Sequence, residues 1–352
     1  MSITVGVIGC GNISKFHFSG LAKAGARVKW VCDLNEAAAR PWAEKFNAAY
    51  TPDFRHILAD PEVRAVFVLP ISSTHKAICL EAIAAGKAVV CEKTLAENAA
   101  DALAIVRAAE EKGSIFYTSY MKRYIPAVVK AKELLPGLGR IFSSYFRSYQ
   151  PWGEIWGPNP AEGFLHTPPG GQSMVVKNYG GGILVCGGSH ILDLIGFFLG
   201  RPKRISSMMV QPEDRDYDLL ASALLETPNG VAHFEAVAHP LKKIGHLRDG
   251  WDERIEINAT KGRLEIFSAL WDQADVKDSL LVHTDNDSGT VTEYRYGPVS
   301  PFDRAVAFYC AQIERGEQGQ QSIYTGYDVD VLIETVQRSA RSGQTQEVHY
   351  AI

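Results

Sequence analysis

Along the first third of the chain, short apolar runs alternate with stretches whose apolar residues recur at helical spacing. Ile3–Ile8 is a β-branched run closed by glycine. Ile13–Ala24 follows it with Phe16, Gly20 and Leu21 at helical intervals. The alternation then repeats: strand Val28–Cys32, helix Glu36–Phe46, strand Val63–Leu69, helix Lys76–Ala85, strand Ala88–Cys91, helix Glu97–Lys112 and strand Ile115–Ser119. Gly86 and Gly113 stop two of these helices. Buried strands separated by helices of this length predict a parallel sheet covered on both faces.

After about Tyr124 the rhythm changes. A helix over Ala127–Leu135 ends at Pro136-Gly137, and Ile141–Tyr149 alternates as a strand. A loop rich in Pro, Gly and Trp spans Gln150–Gly171. Helix Ser189–Leu199 then precedes strands at Ile205–Val210, Leu219–Glu226, Val231–Val237, Arg254–Asn258, Arg263–Phe267, Ser279–His283 and Val291–Tyr296. Helices Phe302–Arg315 and Tyr327–Arg341 close the chain. Strands joined by short turns, with helices to one side, predict an α+β domain on a large, mostly antiparallel sheet. The expected division is a doubly wound α/β domain over 1–123 and the α+β domain over 124–352.

The length of 352 residues agrees with two domains. A composition 46% hydrophobic and 22% charged excludes a disordered chain. The 36 Lys+Arg against 40 Asp+Glu give a net charge of −4, which lacks the basic excess of a nucleic-acid binder. MSITVGVIG has no basic residue ahead of its apolar run and does not read as a signal peptide. The most apolar window, Ile183–Gly200, contains His190 and Asp193 and makes a poor membrane span. The six cysteines are scattered without a C-x-x-C pair, so they read as core residues of a reducing compartment, with no metal framework. These features together predict a cytoplasmic protein with neither a nucleic-acid nor a membrane partner.

Gly9-Cys10-Gly11-Asn12-Ile13-Ser14 follows a strand and opens a helix, the context a dinucleotide fingerprint requires. Gly9 allows the tight turn, Gly11 lets backbone approach a pyrophosphate, and Ser14 is a small residue in the place of the third glycine. Asp33 ends the second strand, where a carboxylate accepts hydrogen bonds from ribose hydroxyls and repels a 2′-phosphate. Leu34 beside it supplies no phosphate-binding cation. NAD is therefore expected over NADP. His17, one turn into the helix, is expected to be a packing residue.

Glu92-Lys93-Thr94 lies at the carboxyl end of strand Ala88–Cys91, the side on which ligands of open α/β sheets bind. A second cluster runs Gly180-Gly181-Gly182 to Cys186, Gly187-Gly188, Ser189-His190 and Asp193. If it is helical through Cys186, then Cys186, His190 and Asp193 share one face, and a histidine there could exchange a proton at neutral pH. Ser189 and His190 do not form a triad, because adjacent helical residues point apart. Trp152, Trp156, Phe164 and His166 lie in the long loop, and aromatic faces suit the C–H faces of a sugar ring.

With the Ser-Ser-Thr-His75 segment and Arg123-Tyr124-x-Pro126, these motifs make the chain resemble the Gfo/Idh/MocA family of sugar and polyol oxidoreductases over nearly its whole length. The resemblance implies a homodimer or homotetramer through the second sheet and a carbohydrate or polyol substrate. It puts Lys93 and His190 in the catalytic roles. It implies cofactor contacts from Gly9, Gly11, Asn12, Ile13, Asp33, His75, Glu92 and Lys93. Substrate candidates are Tyr120, Arg123, Tyr124, Trp152, Trp156, Lys177, Asn178, Cys186 and His190. Two positions depart from the family pattern. Cys186 replaces an aspartate, which removes a carboxylate from polyol binding. Thr94 replaces a proline, so a trans bond after Lys93 is expected. The competing expectations are a redox-neutral, NAD-dependent glycoside hydrolase and a non-catalytic sugar sensor.

Overall fold

A computed structural model describes residues 3–246, 249–268 and 271–352. The chain forms two compact units. The first holds strands β1 (Thr4–Ile8), β2 (Arg27–Cys32), β3 (Ala49–Thr51), β4 (Ala65–Val68), β5 (Ala88–Cys91) and β6 (Phe116–Thr118). Helices α1 (Ser14–Lys23), α2 (Glu36–Phe46), α3 (Arg55–Ala59), α4 (His75–Ala84) and α5 (Ala99–Lys112) alternate with them. All neighbours pair in parallel, in the order β3-β2-β1-β4-β5-β6. That order reverses between β1 and β4, the switch point of a dinucleotide-binding fold. Val5, Val7, Val66, Phe67, Val89 and Val90 are fully buried, each such side chain contributing about 1.5–3 kcal/mol.

The first unit also contains Phe302–Asp330, which the sequence division assigns to the second domain. The reason is packing. Phe302 stacks on Phe16 of α1 with centroids 5.0 Å apart, and Tyr309 stacks on Tyr117 of β6 at 4.7 Å. Gln318 behaves as a one-residue strand: its amide accepts the Phe116 N–H at 2.9 Å and donates to the Phe116 carbonyl at 2.8 Å. Gln321 donates to the Thr118 carbonyl at 2.7 Å. These bonds cover the free edge of β6, which would otherwise expose unpaired backbone.

The second unit contains α6 (Pro126–Leu134), β7 (Ile141–Pro151), α7 (Met174–Tyr179), α8 (Ser189–Leu199), β8 (Arg204–Val210), β9 (Leu220–Thr227), β10 (Gly230–His239), β11 (Asp252–Ala259), β12 (Gly262–Ser268), β13 (Ser279–Asp285) and β14 (Val291–Tyr296). Helix α9 (Pro301–Arg315) lies almost wholly in the first unit. The chain of α10 (Thr325–Ser342) crosses from the first unit to the second, and β15 (Gln346–Glu347) ends the sheet. The nine strands run β14-β13-β12-β11-β7-β10-β9-β8-β15. All pairs are antiparallel except β7 with β10. One face of the sheet carries Phe146, Phe234 and Ala223 in register under α8, and all three are buried. The neighbouring positions Arg147, Glu235, Ser222 and Met208 fall on the other face. Met174–Leu199 is long and apolar enough to cross a membrane by composition, but 83% of its apolar window is buried as the core of this unit.

Candidate active site

The first part of the site is the turn after β1. Gly9 donates to the Cys32 carbonyl at 2.8 Å and sits at φ 94°, where a Cβ would meet the Pro70 nitrogen at 2.6 Å. Only glycine fits there. Gly11 is different: a Cβ would meet no protein atom within 4 Å. The protein itself does not demand that glycine, whereas a pyrophosphate close to the backbone would. Asp33 accepts the Cys10 N–H through Oδ2 at 2.7 Å and the Asn35 N–H through Oδ1 at 2.8 Å. It stays half-buried, so ribose hydroxyls can share its remaining lone pairs. Burial, followed by the Asp33 charge, pushes the Cys10 and Cys32 thiols up to about 12, so both remain neutral beside it. Ser14 donates its hydroxyl to the Gly11 carbonyl at 2.7 Å, which accommodates the departure from a third glycine. Asn12 is exposed and Ile13 half-buried at the start of α1. This donor and acceptor set fits a dinucleotide.

The second part is the loop after β5. The buried Glu92 accepts from Nε2 of His17 at 2.7 Å through Oε1, and from the Lys93 N–H at 3.0 Å through Oε2. Burial raises the Glu92 pKa, but the His17 hydrogen bond and the neighbouring positive charge outweigh it and hold the carboxyl below its usual range. His17 packs as expected, edge-on to Phe67 and Phe302, and it also carries this polar task. His75 is fully buried. Its Nδ1 lies 3.0 Å from the Thr94 carbonyl and 3.2 Å from that of Leu95, and its Nε2 lies 3.1 Å from that of Pro70. Burial lowers its pKa, against the pull of the three carbonyls. Asp330 accepts the Ala96 N–H at 3.0 Å. Glu92 and His75, both expected at the cofactor, thus hold the Lys93 loop from within the protein. The Lys93–Thr94 peptide is cis, a correction to the trans bond expected from the missing proline. Lys93 itself is half-buried, and Tyr120, two residues beyond β6, is fully buried.

The remaining candidate residues lie in the second unit. The expected regular helix through Cys186 is interrupted by a π turn over Leu184–Gly188, a wider turn that recurs at functional sites. The half-buried Cys186 donates its thiol to the Gly181 carbonyl at 3.6 Å. His190, in the first turn of α8, is 8% exposed. Arg123 grips Asp193 from Nε and one terminal nitrogen at 2.6–3.0 Å, and its guanidinium lies 5.0 Å from the Phe197 ring centroid. Arg123, expected as a substrate contact, therefore anchors the helix that carries His190; Tyr124 follows it, half-buried. In the long loop, Trp152 donates to the Gln150 side chain at 3.4 Å. Trp156 donates to the Ala238 carbonyl at 2.6 Å while 47% exposed. His166 Nδ1 lies 2.5 Å from the Pro160 carbonyl, and Phe164 meets Tyr179 edge-on. Lys177 is exposed and Asn178 half-buried on the short helix α7.

Sequence reasoning did not find Asp218. It is buried, accepts the Leu184 N–H at 2.8 Å, and offers its own carbonyl to the Ile183 N–H at 3.0 Å. Burial pushes its carboxyl up to about 6 against the pull of backbone N–H groups. Its signal was a buried acid just ahead of a strand, which carries no meaning until the turn it holds is known.

Residues 3–120 match the model of an oxidoreductase family with an NAD-binding Rossmann fold, and residues 130–265 match the Gfo/Idh/MocA C-terminal domain. An inositol 2-dehydrogenase of Gluconacetobacter diazotrophicus is 25% identical over 99% of this chain and 97% of its own. One from Burkholderia cenocepacia is 27% identical over 100% and 98%. A levoglucosan dehydrogenase solved with NADH and levoglucosan superposes with a TM-score of 0.82 at 21% identity, covering 99% of this chain and 100% of that one. A 3-ketoreductase from Actinomadura kijaniata solved with NADP gives 0.76 at 20% identity, covering 96% and 98%. With both domain models matched in order along the sequence, the chain belongs to the Gfo/Idh/MocA family of oxidoreductases.

Proposed function

We propose that the protein is an NAD-dependent dehydrogenase that oxidises a hydroxyl-bearing carbon of a polyol, sugar or sugar derivative. The observation that carries this reading is the carboxyl edge of the parallel sheet. The Gly9–Gly11 turn, Asp33 and the braced Lys93 loop all follow strands at that edge. NAD supplies the hydride acceptor when bound. The Lys93 ammonium donates to the reacting hydroxyl and stabilises negative charge that develops on its oxygen. His190 accepts the hydroxyl proton, a transfer suited to imidazole near neutral pH. Tyr124, Trp152, Trp156, Lys177, Asn178 and Cys186 line the substrate side. Cys186 offers a neutral thiol, so this protein binds its polyol with less carboxylate help. Preference for NAD over NADP follows from the Asp33 charge and from Leu34, which is 91% exposed and offers no cation to a 2′-phosphate. The relatives named for inositol and levoglucosan make cyclic polyols and anhydrosugars the first substrates to try.

Purified protein is mixed with NAD and with inositol, levoglucosan, free hexoses and aryl glycosides, while NADH and released aglycone are followed together. NADH accumulating with one class supports the dehydrogenase. Aglycone released without net NADH contradicts it and favours transient oxidation with elimination; silence in both channels favours a sensor. We also propose that the open sheet face, with Met208 78% exposed and Leu224 47% exposed, pairs with a second copy. Light scattering that gives a monomer mass would contradict that pairing.

A further inference from the structure

Five consecutive residues leading into β9, Asp214–Asp218, each tie down a different point of segment 155–184. Asp214 accepts the Asn159 N–H at 2.9 Å. The buried Arg215 donates to the carbonyls of Ile155 and Gly157. Asp216 accepts the Thr167 hydroxyl at 3.0 Å through one oxygen and the Ser173 N–H at 2.8 Å through the other. Tyr217, 1% exposed, donates its hydroxyl to the Leu165 carbonyl at 2.7 Å. Asp218 holds Ile183 and Leu184 ahead of the π turn.

The clamped segment forms no helix or strand between Pro151 and Met174. A loop of that length, rich in glycine and proline, has many conformations and little backbone pairing of its own to select one. Its shape must come from outside, and these five residues supply it. The bond to Ser173 has a further consequence. Ser173 caps α7 by accepting the Val176 N–H at 3.2 Å, and α7 carries Lys177 and Asn178. One carboxylate thus orients both the loop and the helix that ends it.

We propose that Asp214–Asp218 is a positioning clamp that pre-forms the substrate wall and thereby sets which polyol or sugar the enzyme accepts. This rests on the reading above that Trp152, Trp156, Lys177 and Asn178 face substrate. None of the five residues need touch substrate. They act through the backbone they hold, and a wall displaced by about 1 Å can cost on the order of 100-fold in rate.

The test uses full-length Asp216→Ala and Tyr217→Phe, with Asp216→Asn as the conservative rescue. Hydrogen exchange is read over 152–180, NAD affinity by nicotinamide fluorescence, and KM and kcat with inositol and levoglucosan as probes. Asp216→Ala is expected to speed exchange around Thr167 and Ser173. It should raise KM about tenfold with a smaller change in kcat, as for one or two lost hydrogen bonds, and leave NAD affinity alone. Asp216→Asn, which keeps an acceptor oxygen, should recover part of the loss. Tyr217→Phe removes one hydroxyl and should move the same readouts less; it also serves if Asp216→Ala fails to fold. Unchanged exchange in both variants would overturn the clamp and leave the proposed activity standing. Faster exchange with KM unmoved for a probe that is turned over would show that the loop is not the substrate wall and overturn the inference through its premise. Wild-type protein inert towards both probes would count against the substrate reading itself, while exchange still decides whether the clamp exists.

Discussion

Asp33 and Asp218 each accept a backbone N–H from a glycine-rich turn, Cys10 at 2.7 Å in one unit and Leu184 at 2.8 Å in the other. Each turn holds a glycine that cannot be replaced without moving backbone: a Cβ on Gly9 would strike Pro70, and one on Gly182 would strike Asp218 itself. The surroundings differ. Asp33 is half-buried and keeps capacity for a ligand, whereas Asp218 is sealed in and directs its carboxylate to the protein alone. The same bond leaves a carboxylate open to a ligand where solvent reaches it and confines it to architecture where solvent does not. In the first unit the aspartate is part of the proposed cofactor site. In the second it holds the turn that leads into α8.

The largest effect is expected at the chemistry. Lys93→Ala and His190→Ala should each lower kcat/KM by about 10²- to 10⁴-fold, with NAD affinity retained; steady-state kinetics beside nicotinamide fluorescence checks this. Turnover intact in both variants would remove the chemical assignment from both units.

A second prediction sharpens the contrast between the two aspartates. Burial raises the Asp218 pKa from 3.8 to about 6 in the folded protein. A carboxyl whose folded pKa lies above its unfolded value favours folding fully below about pH 3.8 and loses that contribution as pH rises through about 6. The shift corresponds to roughly 3 kcal/mol. Asp218→Asn should therefore gain stability relative to wild type between pH 4 and 7, by an amount of that order. Denaturant unfolding across the range measures it, and a difference between the two proteins that does not change with pH would contradict it.

A smaller effect is expected at the loop. The pair Trp152→Ala and Trp156→Ala should raise substrate KM about tenfold without moving NAD affinity. Unchanged KM in the double variant would take the loop out of the substrate site.

The first unit was largely legible because its determinants are local. A β-branched run, two glycines, a helix and an acid at the end of the next strand make one pattern within thirty-odd residues. What was missed there is short: β3 spans Ala49–Thr51 and α3 spans Arg55–Ala59, too few residues for a period to register. The bracing of Lys93 was also hidden, since His17, His75 and Asp330 reach Glu92, Thr94 and Ala96 from distant parts of the chain. In the second unit the strands were readable from alternation, but pairing was not. Nothing local says that β10 lies parallel to β7, or that Phe302–Asp330 folds against the first sheet. The π turn, too, depends on Asp218, thirty-four residues beyond Leu184, which it holds. The ion pair of Arg123 was hidden in the same way, since its partner, Asp193, lies seventy residues further along the chain.

The proposed division of labour between the two units is tested most directly by measuring NAD affinity and substrate KM in Asp33→Ala and Asp216→Ala side by side. The account predicts a crossed result. Asp33→Ala should weaken NAD about 10- to 100-fold, as for loss of charge-assisted hydrogen bonds, and relax discrimination against NADP. Asp216→Ala should raise KM for the polyol and leave NAD binding as it was. An Asp33→Ala variant that binds NAD as wild type does, or an Asp216→Ala variant that loses NAD and keeps its substrate KM, would contradict it.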